Sequence, residues 1–362
     1  MHLRTQTRTL KIGKLPVGGG APVSVQTMAN VDPHNAAELS AQIERCAVLG
    51  CDLFRLTVPD AEAARVLGEV RKTSPVPLVA DIHFDYRLAL MAIDAGCDAL
   101  RINPGNIGSR EGVAAVARAA KAKGAVIRIG VNLGSLEKDL ATKVRAGSLR
   151  VSQALCASAL NHLKLLEAEG FGDVVISVKA SNVPDTIESY RLLSERTDCP
   201  LHIGVTEAGT FLPGTVRNSV AMGILLNEGI GDTVRVSLTD QPEQEVRVGM
   251  EILRSLALKP PGPAITSCPT CGRTKVDLFK AASEVEMALE AYSRQLPARS
   301  AAKIPHVAVM GCVVNGPGEA KGADIALCGL DGEFALFVKG EQVARFPENE
   351  AAKRVMEYVV RL

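Results

Sequence analysis

Tryptophan is absent from this 362-residue chain, and aromatic residues make up only 3% of it. Its cores must therefore be built from Val, Leu, Ile and Ala; hydrophobic residues are 47% of the chain, ample for large cores. No run of about 18 apolar residues occurs, so no transmembrane helix is expected. The first twenty residues are basic and polar with no apolar run, which gives no sign of a secretory signal. A net charge of +1 leaves no electrostatic footprint for nucleic acid. No glycine-rich phosphate loop follows an early strand, which argues against a doubly wound dinucleotide fold. The nine cysteines are odd in number and lack a secretory context, so reduced thiols in a cytoplasm are expected. Five of them, Cys46, Cys51, Cys97, Cys156 and Cys199, stand apart and read as small buried hydrophobes.

What is present begins with eight short β-branched runs: Val23–Thr27, Leu53–Val58, Leu78–Ile82, Ala99–Asn103, Val126–Asn132, Val174–Lys179, Leu201–Thr206 and Val234–Thr239. Segments with helical periodicity lie between them, among them Ala36–Leu49, Arg87–Ala95, Val113–Ala122, Gln153–Glu169 and Thr186–Arg196. Gly50, Gly96, Gly124, Gly170 and Gly229 sit where a left-handed residue would end a helix. Eight such units predict an α/β fold of the (β/α)8 TIM-barrel class over residues 1–258.

Polar residues fall in or near the C-terminal halves of the strands, where a barrel builds its active site. They are Arg55, Asp81 with His83, Arg101 with Asn103, Arg128 with Asn132, Lys179, His202 with Glu207, and Ser237. Three Arg and one Lys converge from four strands, and Asp81 and Glu207 cannot neutralise all four. The mouth should be net positive and suited to a small, highly anionic ligand, most simply a diphosphate. Glu207 reads either as a general acid or base or as a partner of Arg128 or Lys179. His83 and His202 read either as ligand contacts or as orienting neighbours.

Residues 259–263, Lys-Pro-Pro-Gly-Pro, read as a stiff linker. Beyond it, residues 264–362 read as a small α+β unit. A helix is expected over Val276–Leu296, strands at His306–Met310, Ile325–Cys328, Phe334–Val338 and Val343–Phe346, and a last helix at Asn349–Val360. This unit carries Cys268 and Cys271 in Ser-Cys-Pro-Thr-Cys-Gly, then Cys312 and Glu319 in Gly-Cys-Val-Val-Asn-Gly-Pro-Gly-Glu. Three thiolates suit three corners of an iron–sulfur cube, with a carboxylate as a harder, exchangeable fourth ligand. On spacing alone zinc also fits, with Cys328 completing four thiolates, and a thiol–disulfide motif or no metal remains open.

Five segments in order span both units: Arg101-Ile-Asn-Pro-Gly-Asn106, Arg128-Ile-Gly-Val-Asn132 with Gly134-Ser-Leu136, Ile203-Gly-Val-Thr-Glu-Ala-Gly209, Ser267-Cys-Pro-Thr-Cys-Gly272, and Gly311-Cys-Val-Val-Asn-Gly-Pro-Gly-Glu319. With them the chain resembles the bacterial 4-hydroxy-3-methylbut-2-enyl diphosphate synthase family of the methylerythritol phosphate route to isoprenoids. The resemblance implies an iron–sulfur oxidoreductase. It would open and reductively dehydroxylate 2-C-methyl-D-erythritol 2,4-cyclodiphosphate with two electrons from flavodoxin or ferredoxin. It also implies a [4Fe–4S] cluster on Cys268, Cys271, Cys312 and Glu319, which makes Cys328 an improbable ligand. The substrate-binding set it implies is Arg55, Asp81, His83, Arg101, Asn103, Arg128, Asn132, Lys179, His202 and Ser237, with Glu207 and Glu319 catalytic. The rival class is a zinc-stabilised protein that senses a phosphorylated metabolite.

Assembly follows from the linker. The helix expected over Gln241–Leu258 would carry the chain away from the barrel mouth. Five further residues span at most about 18 Å. A cytoplasmic head-to-tail homodimer, with each cluster unit closing over the partner's barrel, is therefore expected, as the resemblance also implies.

Overall fold

A computed structural model describes residues 3–103, 107, 109–260, 262–263, 265–296, 304–313 and 322–361. Its contacts divide the chain into two compact units, Met1–Lys259 and Pro260–Leu362.

The first unit is the barrel that the spacing predicts. Its strands are β1 (Ser24–Met28), β2 (Leu53–Thr57), β3 (Leu78–Asp81), β4 (Ala99–Ile102), β5 (Val126–Val131), β6 (Val174–Val178), β7 (His202–Ile203) and β8 (Thr233–Val234). All pair in parallel, in the order β6-β5-β4-β3-β2-β1-β8-β7. The ring closes between β6 and β7 through one bridge, Ile176 with Leu201. Around it run α1 (Ala36–Val48), α2 (Ala61–Arg71), α3 (Tyr86–Asp94), α4 (Arg110–Lys123), α5 (Lys138–Arg145), α6 (Val151–Ala168), α7 (Val183–Ser194), α8 (Phe211–Asn227) and α9 (Pro242–Ser255). Several helices start where a short polar side chain accepts a first-turn N–H, as Asn35 does from Glu38 and Asp60 from Ala63. The five glycines expected to end helices all have positive φ, from 67° to 101°. The five isolated cysteines are buried, as expected.

Period-two alternation builds the barrel interior in layers. Leu53, Val79, Ala99, Val126 and Val175 form a buried apolar layer. Two residues further along the same strands stand Arg55, Asp81, Arg101, Arg128 and Ser177, which line a cavity. The residues between them, such as Phe54, Ala80, Leu100, Ile127 and Ile176, join the large core beneath the helices. The apolar layer is sealed by a hairpin that the sequence reasoning did not find, Leu10–Ile12 paired antiparallel with Leu15–Val17; Leu10, Ile12 and Val17 pack directly on it. Strands of three residues carry too little periodicity to stand out.

The last two strands are much shorter than the runs at Leu201–Thr206 and Val234–Thr239 predict. Each pairs over only two residues. Helix side chains supply the missing hydrogen bonds. The Tyr190 hydroxyl on α7 donates to the His202 carbonyl (2.7 Å) and accepts from the Val178 N–H (3.2 Å), bridging β6 and β7. Asn218 on α8 accepts from the Val205 N–H (3.2 Å) and donates to the carbonyls of Gly214 (2.9 Å) and Ser237 (3.4 Å).

The second unit is a five-stranded sheet in chain order: β9 (Ile265–Ser267), β10 (Val307–Met310), β11 (Ile325–Gly329), β12 (Glu333–Val338) and β13 (Glu341–Pro347). The first three are parallel and the rest antiparallel. Four of these strands were expected; β9 was not, because its three residues adjoin a proline-rich stretch. Helices α10 (Leu278–Gln295) and α11 (Ala351–Val359) pack on the face carrying Val307, Val309, Ile325 and Leu327. The other face carries Ala308, Met310, Ala326 and Cys328, with Cys268 packed against them.

Because the Tyr190 hydroxyl serves two buried backbone groups, Tyr190→Phe leaves both short of a partner. We expect a loss of about 1–3 kcal/mol, read by equilibrium urea denaturation. An unchanged midpoint would show that the ladder closes without it.

Candidate active site

The charged layer surrounds a cavity of about 310 Å³ lined by Met28, Arg55, Asp81, His83, Arg101, Arg128, Gly130, Val131, Asn132, Ser177, Lys179, His202, Thr206, Arg235 and Ser237. Nine of the residues expected from the sequence are here: Arg55, Asp81, His83, Arg101, Arg128, Asn132, Lys179, His202 and Ser237. Two of the barrel residues are not. Asn103 is buried and donates to the Ser135 carbonyl (3.4 Å) instead of lining the cavity. Glu207 is exposed on the loop after β7, next to the lining residue Thr206, with φ at +52°. Among the described residues it makes no ion pair with Arg128 or Lys179, so its reading as their partner fails.

Arg235 was missed. It stands two residues before Ser237, so the alternation that picks out Ser237 also reaches it. Its guanidinium meets the buried Glu245 carboxylate of α9 (3.2 Å). The cavity therefore gathers five basic side chains, with Asp81 and Glu245 as the two buried acids beside them.

Register sets the neighbours. Asp81 is opposite Arg101, and Arg101 is opposite Arg128. The Asp81 carboxylate lies 3.3 Å from Arg101 Nη1, 3.4 Å from His83 Nε2 and 3.8 Å from Arg55 Nε. Burial pushes the Asp81 pKa up, but Arg55, the hydrogen bond from His83 and Arg101 outweigh it, and the carboxyl stays well ionised. Arg101 also donates to the Gly130 carbonyl (3.4 Å), and a Cβ at Gly130 would stand 2.4 Å from Arg101 Nε. Arg128 donates to the Gln26 side chain, while its Nε is buried without a partner among the described residues.

The excess charge shows in the titration of each group. Burial lowers the Arg55 pKa to about 10, with Asp81 opposing. Burial and the repulsion of Arg55 and Arg101 lower Arg128, yet a guanidinium starts so high that it stays charged. Lys179 is held well below its ordinary value by burial, then by Arg235, Arg128 and Arg55. Burial, followed by Arg128 and Lys179, holds His202 neutral. Its Nδ1 contacts the Thr233 hydroxyl, and its Nε2 is buried with no partner among the described residues. Unpartnered donors and crowded like charges are what an anionic ligand would satisfy.

In the second unit, β9 and β10 are neighbouring parallel strands, so the loops that follow them start at one edge. Cys268 follows β9 and Cys312 follows β10 by two residues. The Gly311 N–H donates to Cys268 Sγ (3.3 Å), so the two loops touch. Cys268 and Cys312 are half-buried and Cys271 is exposed. Cys328 is enclosed within β11, its thiol pushed up to about 11 by burial and by Cys312. Glu319 and residues 315–318 lie outside the described residues. Among the described residues no three His, Cys, Asp or Glu side chains are grouped to hold a metal. The available donors, soft sulfurs on adjoining loops, suit a thiophilic metal or an iron–sulfur cluster.

Fold and site together define a (β/α)8 barrel with a basic cavity, followed in the chain by a unit with cysteine-bearing loops. Residues 7–250 match the GcpE TIM-barrel domain and residues 264–361 the GcpE protein C-terminal domain. The chain is 51% identical over 357 residues to the 4-hydroxy-3-methylbut-2-en-1-yl diphosphate synthase (flavodoxin) of Clostridium acetobutylicum, covering 98% of this chain and 99% of that protein. It is 48% identical over 360 residues to the enzyme of the same name from Geobacter sulfurreducens, covering 99% of each. The chain belongs to the GcpE family, whose curated members bear that name. A dihydropteroate synthase from Xanthomonas albilineans overlays 69% of this chain and 97% of its own at a TM-score of 0.49 and 14% identity, a likeness too distant to carry an argument. Neither the relatives nor the strand-enclosed Cys328 supports the zinc-sensor alternative.

A bound diphosphate would raise the Lys179 pKa that burial and the neighbouring guanidinium groups hold down. Pyrophosphate binding should therefore weaken as pH rises from neutral and should take up protons, measured by titration calorimetry in buffers of differing ionisation enthalpy. Lys179→Gln should abolish the uptake; unchanged uptake in that variant would assign it elsewhere.

Proposed function

We propose that this protein converts 2-C-methyl-D-erythritol 2,4-cyclodiphosphate to 4-hydroxy-3-methylbut-2-enyl diphosphate, using flavodoxin as electron donor, the carrier named for its relatives. The observation that carries this is the concentration of Arg55, Arg101, Arg128, Lys179 and Arg235 around one cavity of diphosphate dimensions. Arg guanidinium forks bind phosphoryl oxygens bidentately and keep their charge when dehydrated. Asp81 orients Arg55 and Arg101 from behind. Neutral His202 presents Nε2 for a hydrogen bond to a ligand oxygen, and Asn132 and Ser237 add polar contacts at the rim. Glu207, on the exposed loop at the mouth, is the candidate acid that gives a proton to the departing oxygen.

Cys268, Cys271, Cys312 and Glu319 would hold a [4Fe–4S] cluster. Their chemistry fits: three thiolates for three irons and an oxygen ligand for the fourth. When bound, such a cluster supplies electrons one at a time.

A homodimer is part of the proposal, with the cysteine-bearing unit of one chain serving the barrel of the other. Helix α8 supports a second copy. Leu212, Val216, Val220 and Ile224 repeat every four residues and stay exposed, while Ala221, Met222, Leu225 and Leu226 are buried. Such a helix is apolar on both sides, and its outer side asks for a cover.

The protein, reconstituted with iron and sulfide without oxygen, should be brown, with a broad visible absorption band, and should consume the cyclodiphosphate with reduced flavodoxin. A colourless protein that binds zinc instead would overturn the reading. Glu319→Gln should keep part of the iron but lose most of the turnover; full activity would remove Glu319 from the mechanism. Mixing Arg101→Ala with Cys312→Ser subunits, each inactive alone, should restore activity towards half per mixed dimer. Mixed dimers that form and stay inactive would place barrel and cluster in one chain.

A further inference from the structure

Glu245 lies on the first turns of α9, outside the cavity lining, and its side chain is almost wholly buried. Both of its oxygens are doubly engaged. Oε1 accepts from Arg235 Nη2 (3.2 Å) and from the Leu238 N–H (3.0 Å). Oε2 accepts from Arg235 Nε (3.2 Å) and from the Thr27 hydroxyl (2.7 Å). One carboxylate thus joins β1, the segment after β8 and the guanidinium. The grip takes one edge of Arg235, through Nε and Nη2, and leaves Nη1 without a protein partner among the described residues. Arg235 also stands among like charges, Arg55, Arg128 and Lys179, which would drive an unheld guanidinium towards solvent.

We propose that Glu245 is the positioning residue that presents the free edge of Arg235 to the diphosphate. The inference rests on the function proposed above. Two effects of removing the carboxylate oppose each other. Loss of a negative charge near the site strengthens anion attraction, whereas loss of the grip releases a side chain with many rotamers. The grip prevails because the carboxylate faces both nitrogens of one guanidinium edge, the geometry in which Arg–carboxylate pairs are strongest and most directional, and because a freed Arg must be ordered again on binding.

The test is a double-mutant cycle on the reconstituted enzyme, reading cyclodiphosphate affinity by calorimetry with thermal melting as the folding control. Glu245→Gln should weaken binding roughly tenfold in the native background, about one charge-assisted hydrogen bond, and should have no further effect in an Arg235→Ala background. Equal losses in both backgrounds would mean that Glu245 acts through Thr27 and Leu238 on the fold, and the proposal fails. Unchanged or tighter binding in the native background would make Glu245 a mere counter-charge, and the proposal fails then too. If Glu245→Gln does not fold, Glu245→Asp takes its place in the cycle, since the shorter carboxylate keeps the charge but cannot reach all four donors. A native enzyme that binds no cyclodiphosphate would overturn the functional reading and this inference with it. One that binds it, with either failed pattern above, overturns this inference alone.

Discussion

Crowding of positive charge inside the barrel is the constraint on which the rest of the structure depends. Five basic side chains and Asp81 line one cavity, and a second buried carboxylate, Glu245, backs Arg235 from outside the lining. Burying like charges side by side is unfavourable, and Arg101 and Arg128 even occupy opposed positions on neighbouring strands. A flexible site would relieve this by turning the side chains outward. The barrel prevents it by fixing the Cα positions on adjoining strands and by backing the charged layer with an apolar one. The depressed titration of Lys179 and His202 records the stress that remains. A polyanionic ligand would relieve that stress, so affinity is built in before any ligand arrives.

The ring is also unevenly made. From β1 to β6 it is an ordinary parallel ladder. At β7 and β8 the ladder covers two residues each, and helix side chains take over. Tyr190, Asn218 and Glu245 come from three successive helices, α7, α8 and α9, and each binds backbone in this sector. Shortening the strands makes room: a Cβ at Gly204, just past β7, would fall 2.3 Å from the Arg235 carbonyl and 2.7 Å from Lys179 Nζ. Close approach of this kind requires both a glycine and a chain freed from the regular pleat.

The layered interior was legible in the sequence because strand alternation is strict where the ladder is long. Leu53 and Arg55, Val79 and Asp81, Val126 and Arg128 can be read as pairs with no structure in hand. Legibility fell where the ladder stops. Glu207 follows a two-residue strand, and its left-handed backbone turns the chain away from any period-two expectation. Asn103 lies just past the end of β4, where its amide bonds to Ser135 of a neighbouring loop. Glu245 could not be found by pattern, since an acidic residue in the first turns of a helix is ordinarily a surface group favoured by the helix dipole. Only the packing of α9 against β1 reveals that it faces inward. The cysteine motifs at Cys268, Cys271 and Cys312 stood out in the sequence by their short spacing, and the structure places Cys268 and Cys312 on loops that touch.

The small hairpin beneath the apolar layer has a kinetic consequence. With the packed apolar layer above it, it closes the far end of the barrel. Reactant and product must use the same doorway, in opposite directions, and cannot pass each other there. Each catalytic cycle is then a strict alternation of filling and emptying, and anything that covers the rim to keep water out must lift once per cycle.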